Sequence, residues 1–347
     1  MRERLINDVR GLLTPLDPEA PHASVLADKD DTLQEIMAKP RPDVGTRARP
    51  FHTAWRYRAS AIAVTVATIA LATVTTVVLV RPAAPAYAAA TPQPLTLPAI
   101  SPSQPASSVL AGLLRQADVT QDPQVGPNTH ITTVGWALTT RINGRQVRSA
   151  VIPEERDLWI NADGSGRETT RYLPPVFDSA AQRQRWLDEG SPGADTSRHI
   201  THYSHFDSMW KQPAPTEPTA MKRWLAIGHP ISNGPAETLV AINDLAGERV
   251  LDPRQQAAVL HVLADLPGLR YDGITTDRGN RRGLAFSVDS SYAGLPTRYT
   301  VVLDPGTGAL LDYEETLTTR AGALDVRVPA VISYTAYLVS ENTTVQG

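Results

Sequence analysis

The chain has 347 residues, a formal net charge of −3 at pH 7 and no cysteine. The small net charge gives no global attraction to nucleic acid, so we expect no nucleic-acid partner. The absence of cysteine excludes disulfide bonds, thiolate zinc sites and cysteine nucleophiles. Hydrophobic residues make up 41% of the sequence, which is compatible with a packed core in one sizeable domain plus extensions, or in two domains.

The N-terminal segment, 1–58, is charged and broken by prolines. Leu5, Val9 and Leu12 recur at helical spacing ahead of Pro15, which predicts a short amphipathic helix. Two interpretations of this segment stay open. It is either a largely disordered tail with short helices or a docking peptide that folds on a cytoplasmic partner through Leu5, Val9 and Leu12.

A transmembrane helix is predicted over residues 59–81, because the 22 residues from Ala59 to Val80 carry no charge. At 1.5 Å per residue they span about 33 Å, enough for a hydrocarbon core of about 30 Å. The 20 residues before this run contain six lysines and arginines, whereas the 20 after it contain only Arg81. The positive-inside rule therefore places the N-terminus in the cytoplasm and the C-terminal domain outside, in a single-pass cell-membrane protein.

Cleavage after Ala88 is the alternative, since Ala86, Tyr87 and Ala88 form a small-x-small site. The long charged leader, which extends over 1–58, and the length of the apolar run favour an uncleaved anchor. The partner of residues 59–80 would then be the lipid bilayer.

Residues 82–106 contain seven prolines and no glycine, which predicts an extended, semi-rigid spacer. The remaining segment, 107–347, begins with a helical pattern and continues with strand-like runs joined by turns at Asn143-Gly144 and at 162–167. Helical segments follow, and strands return from residue 268 onward. This order predicts an α+β extracytoplasmic domain with an antiparallel sheet and several helices.

Local signals fix several ends of these elements. Asp252 is the expected N-cap of a helix, with Gln255 completing a capping box. Thr216 or Thr219 is the expected cap of the segment before it that contains Trp224. Another helix is expected to end at Gly247, and the run 303–310 predicts a hairpin with Gly308 in the left-handed region.

Three histidines, His199, His202 and His205, could share one face if residues 197–210 form a helix. If the run is a strand, His202 faces away from the other two. A helical metal motif normally has histidines at i and i+4 with a nearby glutamate, and this run lacks that spacing. We therefore predict no metal site here.

The other candidate motifs have simpler explanations. Neighbouring carboxylates at Glu154-Glu155 and Glu314-Glu315 face opposite sides of a strand and are expected to be solvated. Arg281-Arg282 is expected to form a solvated basic turn. We predict no catalytic, cofactor-binding or metal-ligating residues, no cofactor and no enzymatic activity.

Several spaced motifs resemble a family of uncharacterised actinobacterial single-pass membrane proteins that are often encoded beside extracytoplasmic-function sigma factors. The motifs are "LINDVRGLLTPLDPEAP", "RDLWINADGSGRETT", "PTEPTAMKRWLA", "DPRQQAAVLHVLADLPGLR", "RRGLAFSV" and "VVLDPGTGALLDYEE". The resemblance covers nearly the whole chain and carries no catalytic residues over. It implies an anchored cell-envelope protein linked to sigma-factor regulation, with a sigma factor as the partner of Leu5, Val9 and Leu12.

The order of a helix followed by a long antiparallel meander is similar to the half-open barrels of periplasmic lipoprotein carriers and of the sensor that restrains an anti-sigma protease cascade. Such a likeness of topology transfers no function. Two hypotheses follow. The leading one is a membrane-anchored sensing or binding module for an envelope lipid or peptide, and the alternative is a carrier or chaperone that holds an apolar ligand against the concave face of the sheet.

Overall fold

The computed structural model describes residues 90–97, 104–117, 126–143, 146–177, 179–188, 196–324 and 326–347. The predicted cytoplasmic segment, the predicted transmembrane helix and the alternative cleavage site lie outside the described residues. Within the described ranges, no helix is both long enough and apolar enough to cross a membrane.

The described part of the chain forms five α-helices and nine strands. The helices are α1 (Ala106–Ala117), α2 (Ala180–Asp188), α3 (Pro218–Leu225), α4 (Pro235–Ala246) and α5 (Pro253–Ala264). The strands are β1 (Asn128–Asn143), β2 (Gln146–Ile160), β3 (Gly166–Tyr172), β4 (Arg198–Tyr203), β5 (Arg270–Thr276), β6 (Arg282–Ser290), β7 (Thr297–Leu303), β8 (Leu310–Leu317) and β9 (Ala330–Thr343). The prediction of an α+β domain with antiparallel strands and several helices is confirmed; the half-open barrel stays a prediction.

All nine strands belong to one antiparallel sheet in the order β4-β3-β2-β1-β9-β8-β7-β6-β5. Strands β1 to β4 form one meander and β5 to β9 form another. The last strand, β9, pairs with β8 on one side and with β1 on the other, so it joins the two meanders. Register shifts interrupt the β1–β9 and β8–β9 ladders, and such bulges increase the local twist.

One face of the sheet, called the inner face below, carries the helices and the main core. Helix α4 packs on β6, β7 and β8, while α1 and α3 pack on α5. The apolar side chains between these layers include Leu239 of α4, Leu260 of α5 and Phe286 of β6, all fully buried. Burial of this apolar area is the main source of stability for the fold.

The opposite face, called the outer face, is covered by chain segments without helices. Leu324 and Val326 of the segment after β8 pack with Trp136 and Tyr334. Residues 90–97, called the strap below, place Leu95 and Leu97 on a patch of three buried side chains: Ala285, Val302 and Leu311.

Hydrogen bonds also attach the strap to the sheet. The main-chain oxygen of Gln93 accepts from Arg278 Nη2 at 2.7 Å, and the Leu95 amide donates to Glu314 Oε1 at 3.4 Å. Thr275 Oγ1 donates to the Thr96 oxygen at 2.9 Å. The sequence places this segment in the proline-rich spacer, and its contact with the sheet was not predicted.

The helix ends agree with two of the predicted caps and differ from a third. The capping box of Asp252 and Gln255 is present, and α4 ends at Ala246 with Gly247 as its C-cap, as predicted. The cap predicted for α3 was wrong. Its N-cap is Glu217, because that carboxylate accepts hydrogen bonds from two amides of the first turn.

Turn chemistry also agrees with the sequence at the β7–β8 hairpin. Gly308 has φ of 71°, a conformation that favours glycine. The Asp304 carboxylate accepts from the amides of Gly306 and Thr307 at 2.8 Å each, which closes the turn.

Candidate ligand-binding face

The centre of the inner face has a floor of small residues. Gly135 and Ala137 of β1 pair with Thr335 and Ser333 of β9, respectively, and all four are half-buried. The outer-facing residues that alternate with them, such as Trp136, are buried. We call the partly exposed surface formed by these four small residues the trough.

Helices flank the trough on both sides. Helix α4 covers β6 to β8, and Trp186 of α2 packs on Ala150 and Ile152 of β2. The trough therefore lies in the part of the inner face between two covered regions. A partly exposed surface between two covered regions is a candidate place for a ligand.

The strand register shows which residues border the trough on each side, and we call these two borders the β8 wall and the β2 wall. On β8, Tyr313 pairs with Thr335 and Glu315 pairs with Ser333. On β2, Glu154 pairs with Gly135. Tyr313 and Glu154 are thus separated by three interstrand spacings, or about 14 Å at ~4.8 Å each.

A polar cluster backs the β8 wall. The Nδ1 atom of His229 lies 2.9 Å from Glu237 Oε1, and its Nε2 atom lies 3.6 Å from Asp244 Oδ2. Asn233 donates to the other oxygen of Glu237 at 3.0 Å. Burial acts to raise the pKa of Glu237, but hydrogen bonds from His229, Asn233 and Tyr292 outweigh it and lower the pKa.

Glu315 lies near this cluster and has a raised pKa. Burial raises its pKa to about 7, against the effect of a hydrogen bond from the Tyr313 hydroxyl at 2.9 Å. The negative charges of Asp244 and Glu237 raise the pKa further. At neutral pH this carboxyl group is therefore close to half protonated.

The β2 wall holds a second carboxyl group with a similar pKa. Glu154 is 8% exposed, and burial raises its pKa to about 7. Arg156 lowers this pKa and Glu168 raises it. The Arg156 guanidinium is already bound, since it lies 2.7 Å from Glu168 and donates to the Gly247 oxygen at 2.9 Å.

The prediction that the paired carboxylates are solvated was wrong for Glu154 and Glu314. Glu314 is 2% exposed on the outer face, where it forms an ion pair with Arg278 beneath the strap. Glu154 is buried on the inner face. The Glu314 position is covered by the strap, a segment distant in sequence, which strand alternation alone does not reveal.

The histidine run forms a strand, as one of the two interpretations predicted. His199 and His202 belong to β4 and pair with Thr170 and Arg167 of β3. Their odd spacing of three points them to opposite faces. His205 follows the strand, and in the described ranges no group of three or more metal-ligating side chains is assembled. The absence of metal at these histidines stays a prediction.

Arg281 differs from the solvated turn that was predicted. Its guanidinium and main-chain amide bind Asp277, and it donates to the oxygens of Tyr337 and Leu311 at 2.6 and 3.0 Å. Asp277 is 4% exposed. This residue pair fastens the β5–β6 hairpin to β8 and β9.

An apolar cavity of about 290 Å³ lies between α4, α5 and the β7–β8 hairpin. Its lining includes Ile242 and Leu245 of α4, Val259 of α5 and Leu303 of β7. Arg249 and Gln256 supply polar groups at the same cavity. This cavity is built from different residues than the trough.

The trough residues were missed at the level of sequence, although a signal exists. In both central strands small residues alternate with large ones, as in Gly135-Trp136-Ala137 and Ser333-Tyr334-Thr335. A glycine inside a strand marks a bulge or a close approach of another backbone, and a Cβ atom at Gly135 would lie 2.9 Å from the Tyr334 oxygen. The pairing of these two strands could not be read from the chain.

Comparison with known proteins gives distant structural similarities. No family model matches the sequence, and no curated protein matches it. The chain is similar to the crystal structure of MucB, with 13% identity and a TM-score of 0.21, over 71% of this chain and 61% of that chain. It therefore matches less than two thirds of the MucB chain. A DUF1329 family protein from Desulfovibrio piger has 9% identity and a TM-score of 0.20, over 71% and 96% of the two chains.

Proposed function

We propose that this protein is a membrane-anchored extracytoplasmic sensing or binding module, and that the trough is its ligand site. The observation that carries the proposal is the half-exposed floor of small residues between two walls of titratable side chains. The sequence supports the anchor and its orientation, through the uncharged run at 59–80 and the basic residues before it.

A binding role is favoured over a catalytic one by the spacing of the two acidic groups. Glu154 and Glu315 stand on strands three positions apart, which separates their main chains by about 14 Å. The two groups are better placed to contact different parts of one ligand.

The absence of cysteine allows a direct test of the site. A single cysteine at Thr335, labelled with an environment-sensitive fluorophore, should change its emission when cell-envelope extract is added to residues 90–347. The same label at exposed Thr319, in the segment after β8, should not respond. Equal responses at the two positions, or none at Thr335, would contradict the proposal.

Signalling through residues 1–58 is the second part of the proposal. The family resemblance supports a sigma factor as the partner, and the apolar residues Leu5, Val9 and Leu12 would form the contact, as in a helix laid in a groove. Residues 1–57 fused to a soluble tag should retain the sigma factor from lysate. The double change Val9→Asp with Leu12→Asp should abolish retention, and retention by that variant would show that this face is not the contact.

The carrier hypothesis has an observation of its own in the apolar cavity beside α4 and α5. If it holds, an apolar molecule should co-purify with the protein and be detected by mass spectrometry after extraction. Ala246 lines the cavity. An Ala246→Phe variant, which narrows the cavity, should lose that molecule, whereas a protein that co-purifies with none would contradict the carrier role.

A further inference from the structure

The apolar cavity between α4, α5 and the β7–β8 hairpin has a single charged residue in its lining. Of the residues that line it, all in the described part of the chain, Arg249 alone carries a charge. The acidic residues nearest to it in sequence, Glu248 and Asp252, are not part of the lining. The Asp304 carboxylate accepts from amides of its own hairpin instead. A ligand with one anionic group and an apolar remainder matches such a lining.

The contacts of Arg249 hold its guanidinium group in place beside the cavity. Its main-chain amide donates to the Leu245 oxygen at 2.9 Å, which fixes the chain just after α4. The Nη2 atom donates to the Trp210 oxygen and, at 3.2 Å, to Ser208 Oγ. The Cζ atom lies 5.9 Å from the centre of the Trp224 ring, within the range of a cation–π contact. The group is therefore positioned before a ligand arrives.

These contacts leave part of the guanidinium group available to a ligand. All hydrogen bonds from its side chain to described residues come from Nη2, so Nε and Nη1 have no acceptor among them. The carboxylate of Glu248 acts on it through Ser208, whose hydroxyl donates to Glu248 Oε2. Burial lowers the pKa of Arg249, which means that its surroundings disfavour the charged form. An anion at Nε or Nη1 would reverse this disadvantage.

The rest of the lining suits a hydrocarbon chain. Leu245 of α4, Val259 of α5 and Leu303 of β7 are almost fully buried and line the cavity from three different elements. The volume of about 290 Å³ is close to the lower limit of the roughly 300–1,000 Å³ found for small-molecule sites. This size favours a ligand with one acyl chain over a lipid with two.

Resting on the carrier hypothesis of the proposed function, we infer that this cavity binds a fatty acid with a single acyl chain, and that its carboxylate lies at Arg249. One negative charge matches the one cation of the lining, and the chain lies among the apolar side chains. Gln256 Nε2 donates to the Gly308 oxygen at 2.7 Å, which joins α5 to the β7–β8 hairpin and holds these two sides of the cavity together.

Calorimetric titration of the full-length chain in nanodiscs of phosphatidylcholine, with decanoate as the probe and empty nanodiscs as the reference, tests the inference. Decanol has the same chain without the charge, and decylamine has it with a positive charge. We expect one site that binds decanoate about ten- to hundredfold more tightly than decanol, because a hydrogen bond to a charged group contributes about this factor. Decylamine should bind more weakly than decanol.

Variants assign this preference to Arg249. Arg249→Gln should weaken decanoate binding about ten- to hundredfold and leave decanol binding unchanged, whereas a merely structural role of Arg249 would weaken both. Arg249→Lys keeps the charge and should retain part of the preference. Arg254→Gln is the matched control, because Arg254 is exposed in the first turn of α5 and does not line the cavity. It should bind as the unaltered protein does, and thermal unfolding checks that each variant is folded.

Equal affinities of the unaltered protein for decanoate and decanol would overturn the inference, and this comparison needs no variant. A preference for decanoate that survives in folded Arg249→Gln would overturn it as well. If decanol binds and decanoate binds no more tightly, the fatty-acid inference fails and the carrier hypothesis stands. If neither compound binds and no apolar molecule co-purifies, both fail. The label at position 335 tests the trough separately from this cavity.

Discussion

Loss of the strap contacts should destabilise the folded unit by a measurable amount. Leu95 and Leu97 cover a patch in which Ala285 and Val302 are fully buried and Leu311 is 7% exposed. A fully buried leucine replaced by alanine costs about 2–5 kcal/mol. The two strap leucines are half-buried, so we expect about 1–1.5 kcal/mol for each and about 2–3 kcal/mol for the double variant. Since a unit of about 250 residues loses about 2–4 °C per kcal/mol, its midpoint should fall by about 5–10 °C.

Thermal and urea unfolding of residues 90–347, followed by tryptophan fluorescence, provide the assay. Gln93→Ala is the control, because this exposed side chain lies in the same strap and the main-chain oxygen that accepts from Arg278 is retained. Its stability should change by less than about 0.5 kcal/mol. A double leucine variant as stable as the control would refute the conclusion that the strap is part of the folded unit.

Three further predictions concern other parts of the molecule. The folded state raises the pKa of Glu154 from 4.5 to about 7, so the free energy of unfolding should fall as pH rises through that window. Urea unfolding at pH 5 and pH 8 should show that Glu154→Gln removes up to about 3 kcal/mol of this loss, and an unchanged pH dependence would contradict the raised pKa. Asp252→Ala removes the capping box of α5 and should cost about 1 kcal/mol in the same assay, whereas no loss would show that the cap is dispensable. Changing His199, His202 and His205 together to glutamine should leave the thermal midpoint nearly unchanged, and stoichiometric zinc in the unaltered protein that is lost from this variant would reverse the prediction.

Local structure was predictable here because its causes are local. The capping box at Asp252 and the hairpin around Gly308 each follow from interactions between residues close in sequence. The cap of α3 was misjudged because glutamate is a less usual cap than threonine. Its longer side chain nevertheless reaches two amides of the first turn.

Long-range pairing could not be derived in the same way. Strand β9 lies between β8, which is close to it in sequence, and β1, which is at the other end of the domain. The sequence pattern of β9 does not identify β1 as its pairing partner. The burial of Glu314 likewise depends on the strap, which precedes all nine strands in the chain. Alternation assigns a residue to a face, but only the tertiary structure shows whether that face is covered.

The candidate site has local features that the sequence reveals and long-range features that it does not. The small residues Gly135 and Ser333 could be noticed in each strand separately, as small positions between large ones. Their meeting in one floor, and the placement of Glu154 and Glu315 on its two walls, required the sheet order. The raised pKa values of these two groups arise mainly from burial, which is likewise a property of the assembled fold.

Labelling of a single cysteine at position 335 in intact spheroplasts tests the central claim most directly, since the natural chain has no cysteine of its own. Thr335→Cys should react with a membrane-impermeant maleimide before lysis, because the account places the trough outside the cell and open to solvent. Purified envelope extract should slow that reaction, while a cysteine at exposed Thr319 should react at the same rate with or without the extract. Reaction at Thr335→Cys only after lysis would contradict the topology, and a rate unaffected by extract would contradict the trough as the ligand site.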